Sequence, residues 1–303
     1  MKNEIKFSII IPQRNSVDTL ARLFHSIPNR EDVEILLINN SPEPITLANI
    51  GLTNDVQLLH AAPERFAGGA RNVGIEAAKG EWLIFSDADD FFTPNAFDSF
   101  SRYVDSDFDL IYFKVSSVYD DTMQPSNRDI IYNDIIDGYL DGRIDEIGTK
   151  IDYVVPWGKM IRKKLVDDNH IQFDEVVASN DVMFSTKVGY AARHFTVSKD
   201  IVYTVTTRKG SLANRRDIIA LESRYRVRMR RNMFLKNHGL ADKQVSVMGF
   251  LYESLKFGIK PFLKFIGLAI KNHQNVFIGY RNWYKTARFI SKDEKEKKYY
   301  LKK

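Results

Sequence analysis

The chain has 303 residues, of which 44% are hydrophobic, so it can bury a substantial core in one large domain or in one domain with an appendage. It contains no cysteine, which excludes disulfides and thiolate metal sites and leaves oxygen ligands for any divalent metal. No apolar run approaches the length of a bilayer, and the polar residues 1–6 lead directly into a strand-like segment. We therefore expect neither a classical export signal nor a membrane-spanning helix.

The net charge of +5 conceals an asymmetry along the chain. Residues 1–204 contain 20 Lys and Arg against 32 Asp and Glu, whereas residues 205–303 contain 24 against 7. A basic segment of this kind indicates an anionic partner, either a membrane surface or a nucleic acid. The reversal also predicts a domain over residues 1–205 and an extension over residues 206–303.

The first part of the chain alternates strand and helix patterns. Apolar runs at 7–11, 33–38, 56–59 and 82–85 predict strands, and the first two end at Pro12 and Asn39. Apolar residues at helical spacing after Ser16 predict one helix, and residues 70–79 predict another that ends at Gly80. This pattern is typical of a doubly wound α/β sheet, in which ligands bind beyond the carboxyl ends of the strands.

Three carboxylates, Asp87, Asp89 and Asp90, follow the fourth predicted strand. They repel each other, and a divalent cation that bridges to phosphate oxygens would relieve this repulsion. Oxygen ligands favour Mg or Mn over zinc. A solvated turn, or a cap for a helix that starts near Thr93, is the commoner explanation for an isolated D-x-D motif.

A glycine pair stands just upstream, in the segment FAGGARN at 66–72. A flexible pair that leads into a helix N-terminus carrying Arg71 suits a diphosphate, although a plain turn would have the same sequence. No Gly-Lys-Ser/Thr follows, and the glycines do not form a G-x-G-x-x-G fingerprint. ATPase and dehydrogenase functions are therefore not favoured.

The segment GARNVGIEAAKGEWLIFSDADD at 69–90 resembles family 2 glycosyltransferases of the GT-A fold. The resemblance continues in SIIIPQRN at 8–15, PWGK at 156–159, Asn180-Asp181 and RKGS at 208–211. It covers roughly the first two thirds of the chain. It implies a Rossmann-like nucleotide-diphospho-sugar transferase domain of the α/β class, followed by a mainly α-helical, basic C-terminal extension.

The resemblance also implies a role for each matching position. The donor nucleotide and its diphosphate would be contacted by Pro12, Asn15, Asn39, Arg71, Asp87, Lys159, Arg208 and Ser211. Asp89 and Asp87 would hold Mn or Mg on the diphosphate, and Trp157 would line the acceptor side. Asp181 would be the general base that deprotonates the acceptor hydroxyl; a helix N-cap is the alternative explanation for this residue.

Three positions depart from the usual family pattern. Asn39-Asn40-Ser41 stands where Asp-Asp-Gly-Ser is common, Arg14 replaces a Tyr, and Asn180 replaces the Glu beside the presumed base. The choice of donor base is therefore open, although UDP-sugars are favoured because an Asn carbonyl can still accept a hydrogen bond from uracil. A neutral Asn180 lowers the local negative charge and should favour an ionised Asp181.

The basic extension carries two charge patterns. Arg224, Arg228 and Arg231 are spaced to share a helical face, and Lys256, Lys260 and Lys264 recur at four-residue intervals among Leu and Phe residues. Such a basic amphipathic helix fits binding in the plane of an anionic membrane. The solvated face of a helix packed on the catalytic domain would show the same pattern.

Together with the charge of the extension, the resemblance implies an inverting, metal-dependent glycosyltransferase of cell-surface polysaccharide synthesis. Its acceptor would be a glycan or a lipid-linked glycan, and it would work in the cytoplasm at the inner face of the membrane. A catalytically inactive sugar-nucleotide-binding or scaffold module on the same fold is the alternative. Nucleic acid is not expected as a partner, because the N-terminal body is acidic and no recognition motif occurs. A nucleotidyltransferase would carry a glycine-rich loop after the first strand, where this chain has Gln13-Arg14-Asn15.

Overall fold

The computed structural model describes residues 4–47, 56–208, 215 and 217–278. The chain divides into two compact units, Met1–Arg215 and Arg216–Lys303. The boundary predicted at residue 205 falls inside the last strand of the first unit, which runs to Thr207. The reversal of charge therefore begins before the first unit ends.

The strands of the first unit form one mixed sheet. In chain order they are β1 (Phe7–Gln13), β2 (Val33–Asn39), β3 (Val56–His60), β4 (Trp82–Phe85), β5 (Phe91–Phe92), β6 (Leu110–Tyr119), β7 (Lys159–Arg162) and β8 (Phe195–Thr207). Among the described residues, the spatial order is β3-β2-β1-β4-β7-β6-β8-β5. The strands β3, β2, β1 and β4 are parallel, and β7 pairs antiparallel with both β4 and β6.

Helices connect these strands. They are α1 (Val17–His25), α2 (Phe66–Ala77), α3 (Ala96–Ser101), α4 (Ile130–Leu140), α5 (Glu146–Asp152), α6 (Lys163–Asp168) and α7 (Asn180–Ala191), with a 3-10 turn at Pro63–Arg65. The four parallel strands and the first two helices confirm the predicted α/β pattern. Every residue of β1 and β4 is buried, as expected for central strands covered on both faces.

Two predictions about α2 are wrong. The helix begins at Phe66, before the glycine pair, so Gly68 and Gly69 lie in its first turns and not in a flexible loop. A Cβ on Gly68 would lie 2.0 Å from the Asp174 carbonyl oxygen, so this glycine permits a close approach of two backbones. Gly80 does not end the helix, which stops at Ala77; it packs against β1, where a Cβ would lie 2.7 Å from the Ser8 nitrogen.

The second unit is helical, with α8 (Ile218–Asn237), a 3-10 turn (Ala241–Lys243), α9 (Met248–Leu255) and α10 (Ile259–Lys271). Asp217 caps α8 by accepting hydrogen bonds from the backbone nitrogens of Ile219 and Ala220. This unit has its own apolar core, in which the Tyr225 and Phe265 rings stack at 4.7 Å. The predicted helical extension is therefore confirmed.

One of the two charge patterns predicted for this unit needs correction. Arg224, Arg228 and Arg231 all lie on α8, where their spacing places them on one helical face, and Arg231 is 2% exposed. Lys256 directly follows α9, whereas Lys260 and Lys264 lie on α10, because the chain turns at Gly258 with a φ of 103°. No helix in the described residues is both long and apolar enough to cross a membrane.

Candidate active site

The acidic loop after β4 leaves two of its three carboxylates, Asp87 and Asp89, partly exposed. The third, Asp90, is buried, and it accepts hydrogen bonds from the Thr206 nitrogen (2.7 Å) and the Tyr203 hydroxyl (3.0 Å). Burial, with Asp89 and Asp87 nearby, raises the pKa of Asp90 well above its ordinary value. Asp90 therefore ties the loop to β8, and the expected cluster of three carboxylates reduces to Asp87 and Asp89.

Neighbouring elements hold the backbone of this loop from both sides. The Thr19 hydroxyl donates to the Ala88 carbonyl at 2.7 Å, and the Arg22 guanidinium donates to the Asp89 carbonyl at 2.7 Å. From β8, the Thr206 hydroxyl donates to the Asp89 carbonyl at 2.9 Å. These bonds fix the direction in which Asp87 and Asp89 project.

Arg71 joins the acidic loop to the start of α7. One guanidinium nitrogen lies 2.5 Å from an Asp87 oxygen, and another donates to the Asn180 side-chain oxygen at 2.8 Å. The guanidinium also lies over the Phe173 ring, 5.3 Å from its centre. The departure from the family pattern at Asn180 therefore supplies a neutral acceptor for Arg71.

Asp181 lies in the first turn of α7, and Ser179 occupies the N-cap position with a φ of 60°. The N-cap explanation for Asp181 is therefore wrong. Burial raises the pKa of Asp181 above its ordinary value, while the positive charges of Arg71 and Lys159 oppose this rise. Burial therefore opposes the ionisation of Asp181 that a neutral Asn180 favours.

Asp89 and Arg208 form an ion pair, with 3.1 Å between an Asp89 oxygen and the Arg208 Nε. Burial, followed by the nearby charge of Asp87, raises the pKa of Asp89, and Arg208 opposes this effect. Arg208 also donates to the Ser16 hydroxyl at 3.3 Å. Ser211, the other residue predicted to close over the diphosphate, lies outside the described residues.

The chemistry of Asp87 and Asp89 fits a hard divalent cation. No group of three or more Asp, Glu, His or Cys side chains in the described residues is arranged as a complete metal site. Mg²⁺ typically binds through one or two carboxylates together with substrate phosphates, so a complete protein cage is not needed. In the Arg71–Asp87 and Arg208–Asp89 ion pairs, the arginine contacts one oxygen of the carboxylate. The second oxygen of each carboxylate can therefore bind a cation.

The predicted base pocket lies at the carboxyl ends of β1 and β2. Pro12 is buried in β1, and Asn15 is exposed with a φ of 53°. The Asn39 side chain donates to the Glu43 carbonyl and accepts from the Ser41 nitrogen, so both of its polar groups have protein partners. By contrast, Gln13 Nε2 and Asn40 Oδ1 are buried without a hydrogen-bond partner in the described structure.

Trp157 and Lys159 lie deeper than we expected for residues that contact acceptor and donor. Trp157 is 2% exposed and stacks on Tyr203, with 6.0 Å between ring centres. The Lys159 ammonium is buried, donates to the Tyr153 carbonyl at 2.6 Å, and has a pKa lowered to about 7 by burial. Their predicted contacts with acceptor and donor stay predictions.

Sequence reasoning missed several residues that position this site. Tyr203 and Thr206 of β8 hold Asp90 and the acidic loop, and Arg22 holds the loop from α1. Tyr203 and Asp90 are 113 positions apart in the chain. No local pattern links residues at such a separation, so only the fold brings these partners together.

Comparison with known proteins gives a consistent result. A family model described as Glycosyl transferase family 2 matches residues 8–169. The chain is 23% identical over 225 residues to the putative glycosyltransferase EpsH of Bacillus subtilis, covering 69% of this chain and 62% of EpsH. It is also 23% identical over 215 residues to the poly(ribitol-phosphate) β-N-acetylglucosaminyltransferase TarS of Staphylococcus aureus, covering 68% of this chain and 36% of TarS. The chain thus spans less than two thirds of either relative.

Solved structures show the same fold. Residues 1–349 of S. aureus TarS, in complex with UDP-GlcNAc, match with a TM-score of 0.66 at 21% identity, covering 88% of this chain and 81% of that one. The mannosyltransferase PcManGT of Pyrobaculum calidifontis, in complex with GDP-Man and Mn²⁺, matches with a TM-score of 0.53 at 16% identity, covering 93% and 83%. The GT-A fold predicted from the sequence is confirmed. Because the family model covers more than half of the chain, the chain belongs to glycosyl transferase family 2.

Proposed function

We propose that the chain is an inverting glycosyltransferase of cell-surface polysaccharide synthesis. It moves a sugar from a nucleotide-diphosphate donor, with UDP-sugars favoured, to a hydroxyl of a glycan acceptor. The observation that carries this proposal is the bridge made by Arg71, which contacts both Asp87 and the residue next to Asp181. The names of TarS and of the complex of TarS with UDP-GlcNAc support the choice of reaction and donor.

Arginines and carboxylates have different roles in binding the donor. Arg71 and Arg208 supply positive charge to the diphosphate, and each already contacts one carboxylate of the acidic loop. Asp89 and Asp87 hold Mn²⁺ or Mg²⁺, which when bound supplies further positive charge against the leaving diphosphate. Pro12, Asn15 and Asn39 surround the base, and Lys159 and Ser211 complete the donor side.

Asp181 acts on the acceptor, and Trp157 lines the acceptor side. Its carboxylate takes the proton of the acceptor hydroxyl while the hydroxyl oxygen forms a bond to the anomeric carbon. The bond between that carbon and the diphosphate oxygen breaks on the opposite face, so the configuration at the carbon inverts. Partial burial lowers the effective dielectric around Asp181, which strengthens the electrostatic effect of Arg71 and Lys159 on this carboxylate.

The test is release of nucleoside diphosphate from a panel of nucleotide sugars, with Mn²⁺ or Mg²⁺ and with EDTA. We expect one donor to turn over in a metal-dependent reaction, with slow transfer to water in the absence of acceptor. Asp89→Ala and Asp181→Asn should each lower turnover by about 100-fold or more. Asp18→Asn is the matched control for Asp181→Asn, because Asp18 is an exposed carboxylate in the first turn of α1.

Binding measurements on the same panel separate the alternatives. Donor binding that needs metal but gives no turnover with any acceptor would favour the inactive sugar-nucleotide-binding or scaffold module. If no donor in the panel binds, the nucleotide-sugar proposal is overturned. Release that is insensitive to EDTA would overturn the metal dependence alone.

We also propose a place of action. The acceptor is a glycan, lipid-linked in its growing form, and the chain works in the cytoplasm at the inner face of the membrane. The excess of Lys and Arg after residue 205 supports this, since anionic lipid headgroups attract such segments. Transfer to lipid-linked and lipid-free forms of one glycan acceptor can be compared; equal rates in the presence of membranes would contradict a preference for the lipid-linked form.

A further inference from the structure

The helix α10 has three distinct faces. Phe265 and Ala269 are buried in the core of the second unit. Ile259, Leu263, Ile266 and Ile270 follow each other at intervals of four, three and four residues, and therefore line up in one stripe. Lys260, Lys264 and Lys271 form a second stripe, displaced by roughly 100° around the helix and away from the buried face.

Three of the four residues in the aliphatic stripe are open to solvent, and Ile266 is partly exposed. Ile259 is 61% exposed, Leu263 58% and Ile270 70%. Further exposed apolar side chains lie in α9 and the turn before α10, namely Tyr252, Leu255 and Phe257. Single exposed aliphatic residues are ordinary, but a continuous stripe on one helix indicates a surface that is covered by a partner.

The length of α10 excludes a spanning position. Its 13 residues extend only about 20 Å, which is less than the hydrocarbon thickness of a bilayer. A helix of this length can instead lie in the membrane plane, with the aliphatic stripe at the acyl boundary and the lysines reaching to the headgroups. The order of the faces on α10, core, then aliphatic, then lysine, matches this orientation.

We propose that the aliphatic and lysine stripes of α10 are an interfacial anchor for an anionic lipid bilayer. Charge decides between this partner and a second copy of the chain. An antiparallel twofold contact through the aliphatic stripe would place the two lysine stripes on the same side of the contact, where they would repel. An anionic bilayer pairs with the same lysines favourably, in a region with 24 Lys and Arg against 7 Asp and Glu.

The experiment measures binding of the full chain to sedimented vesicles of phosphatidylcholine alone and of phosphatidylcholine with phosphatidylglycerol. We expect binding to the anionic vesicles, weaker binding to the neutral ones, and a decrease with added salt. Ile259→Ser/Leu263→Ser/Ile270→Ser should lower binding to anionic vesicles by about tenfold or more. The matched control is Ile130→Ser/Ile131→Ser/Leu140→Ser, which removes three exposed aliphatic side chains from α4.

A second variant tests the charge separately. Lys264 pairs with Glu222 at 2.6 Å, so it is left in place. Lys260→Gln/Lys271→Gln should lower binding to anionic vesicles by about tenfold or more and leave binding to neutral vesicles unchanged. Lys79→Gln/Lys199→Gln, which changes two exposed lysines of the first unit, should bind like the wild type.

Circular dichroism and donor turnover without acceptor should be the same in all four variants, so a folding defect or a failure of the transferase reaction is detected independently. Equal binding to neutral and anionic vesicles would overturn the proposal, as would a serine variant of α10 that binds like its control. The wild type could instead bind no vesicles and self-associate in a concentration-dependent way that the α10 serine variant loses. That result would assign the stripe to a second copy of the chain and would also overturn the proposal.

Discussion

We expect the ionisation of Asp181 to determine the pH below which the reaction slows. Only the deprotonated carboxylate can accept the hydroxyl proton, and burial raises the pKa of this group above the ordinary 3.8. As pH falls through the raised pKa, kcat/KM should therefore decrease, by about tenfold for each further pH unit. A pH–rate profile with the preferred donor and acceptor measures this limit.

Substitution of Asn180 should shift the acid limb of this pH–rate profile. Asn180→Glu restores the family's usual residue and adds negative charge beside Asp181, so the acid limb should shift to higher pH. Asn180→Gln is the neutral control and should leave the limb in place, because an amide oxygen can still accept from Arg71. Identical limbs in the two variants would show that Asp181 is not the group that titrates.

Lys159 should make stability depend on pH in the alkaline range. Its pKa is lowered from 10.5 to about 7 by burial, so between these values the unfolded chain binds more protons than the folded one. The free energy of unfolding should then rise from pH 7 to pH 10, by at most about 1.4 kcal/mol per pH unit from this residue. The buried Lys159 therefore destabilises the folded chain fully below pH 7, and this destabilisation disappears as pH approaches 10.5.

Urea unfolding of Lys159→Met across this range isolates the effect. The variant removes the titrating group, so its stability relative to the wild type should be greatest near pH 7 and decrease towards pH 10. Lys79→Met, at an exposed position, should show a constant difference from the wild type. A constant difference for Lys159→Met would mean that Lys159 keeps an ordinary pKa in the folded chain.

At the scale of elements, the packing of α2 against the segment before α7 controls the site. Gly68→Ala gains helix propensity, but its Cβ would lie 2.0 Å from the Asp174 carbonyl oxygen and 3.1 Å from the Asn180 Cβ. The clash should outweigh the propensity, lower stability by about 1–3 kcal/mol, and weaken donor binding by moving Arg71. Thermal unfolding and donor titration measure the two effects.

Gly249→Ala is the matched control for this substitution. Gly249 also lies inside a helix, α9, and nothing lies within 4 Å of a Cβ placed there. This variant should be stabilised by about 0.5–1 kcal/mol and bind donor normally. A Gly68→Ala variant that behaved like Gly249→Ala would contradict the close approach of α2 to Asp174.

The elements also show what sequence can and cannot predict. The strands β1 to β4 were predicted because each is a short apolar run that ends at polar or turn-forming residues, and such runs are local. The start of α2 was missed because a glycine pair indicates a flexible turn by local propensity, whereas here tertiary packing requires residues without side chains. The role of β8 depends on contacts between distant residues, such as Tyr203 with Asp90, which no periodicity encodes.

The candidate site likewise contains features that the sequence predicts and features that it does not. The resemblance identified Arg71, Asp87, Asp89 and Asp181 through short motifs, and the fold brings Arg71 into contact with Asp87 and with the residue beside Asp181. Trp157 and Lys159 were predicted to face ligands, but burial depends on the side chains around them, such as Tyr153 and Tyr203. A motif gives the order of residues along the chain and not their depth in the core.

For the whole molecule, the separate cores of the two units should produce two unfolding transitions. The first unit is built on the mixed sheet and the second on the cluster around Tyr225 and Phe265. Differential scanning calorimetry should resolve both, because each unit buries its own apolar residues. A single transition whose calorimetric and van't Hoff enthalpies agree would contradict this independence.

Donor should stabilise one of these transitions only. A nucleotide sugar with Mn²⁺ at 100 times its Kd adds about 2.7 kcal/mol to the unit that binds it, which is about 5–10 °C for a domain of this size. The shift should appear in the transition of the first unit, since Arg71, Asp87, Asp89 and Asp181 all belong to it. Asp89→Ala should lose the metal-dependent part of the shift, and a shift of both transitions would mean that the helical unit takes part in donor binding.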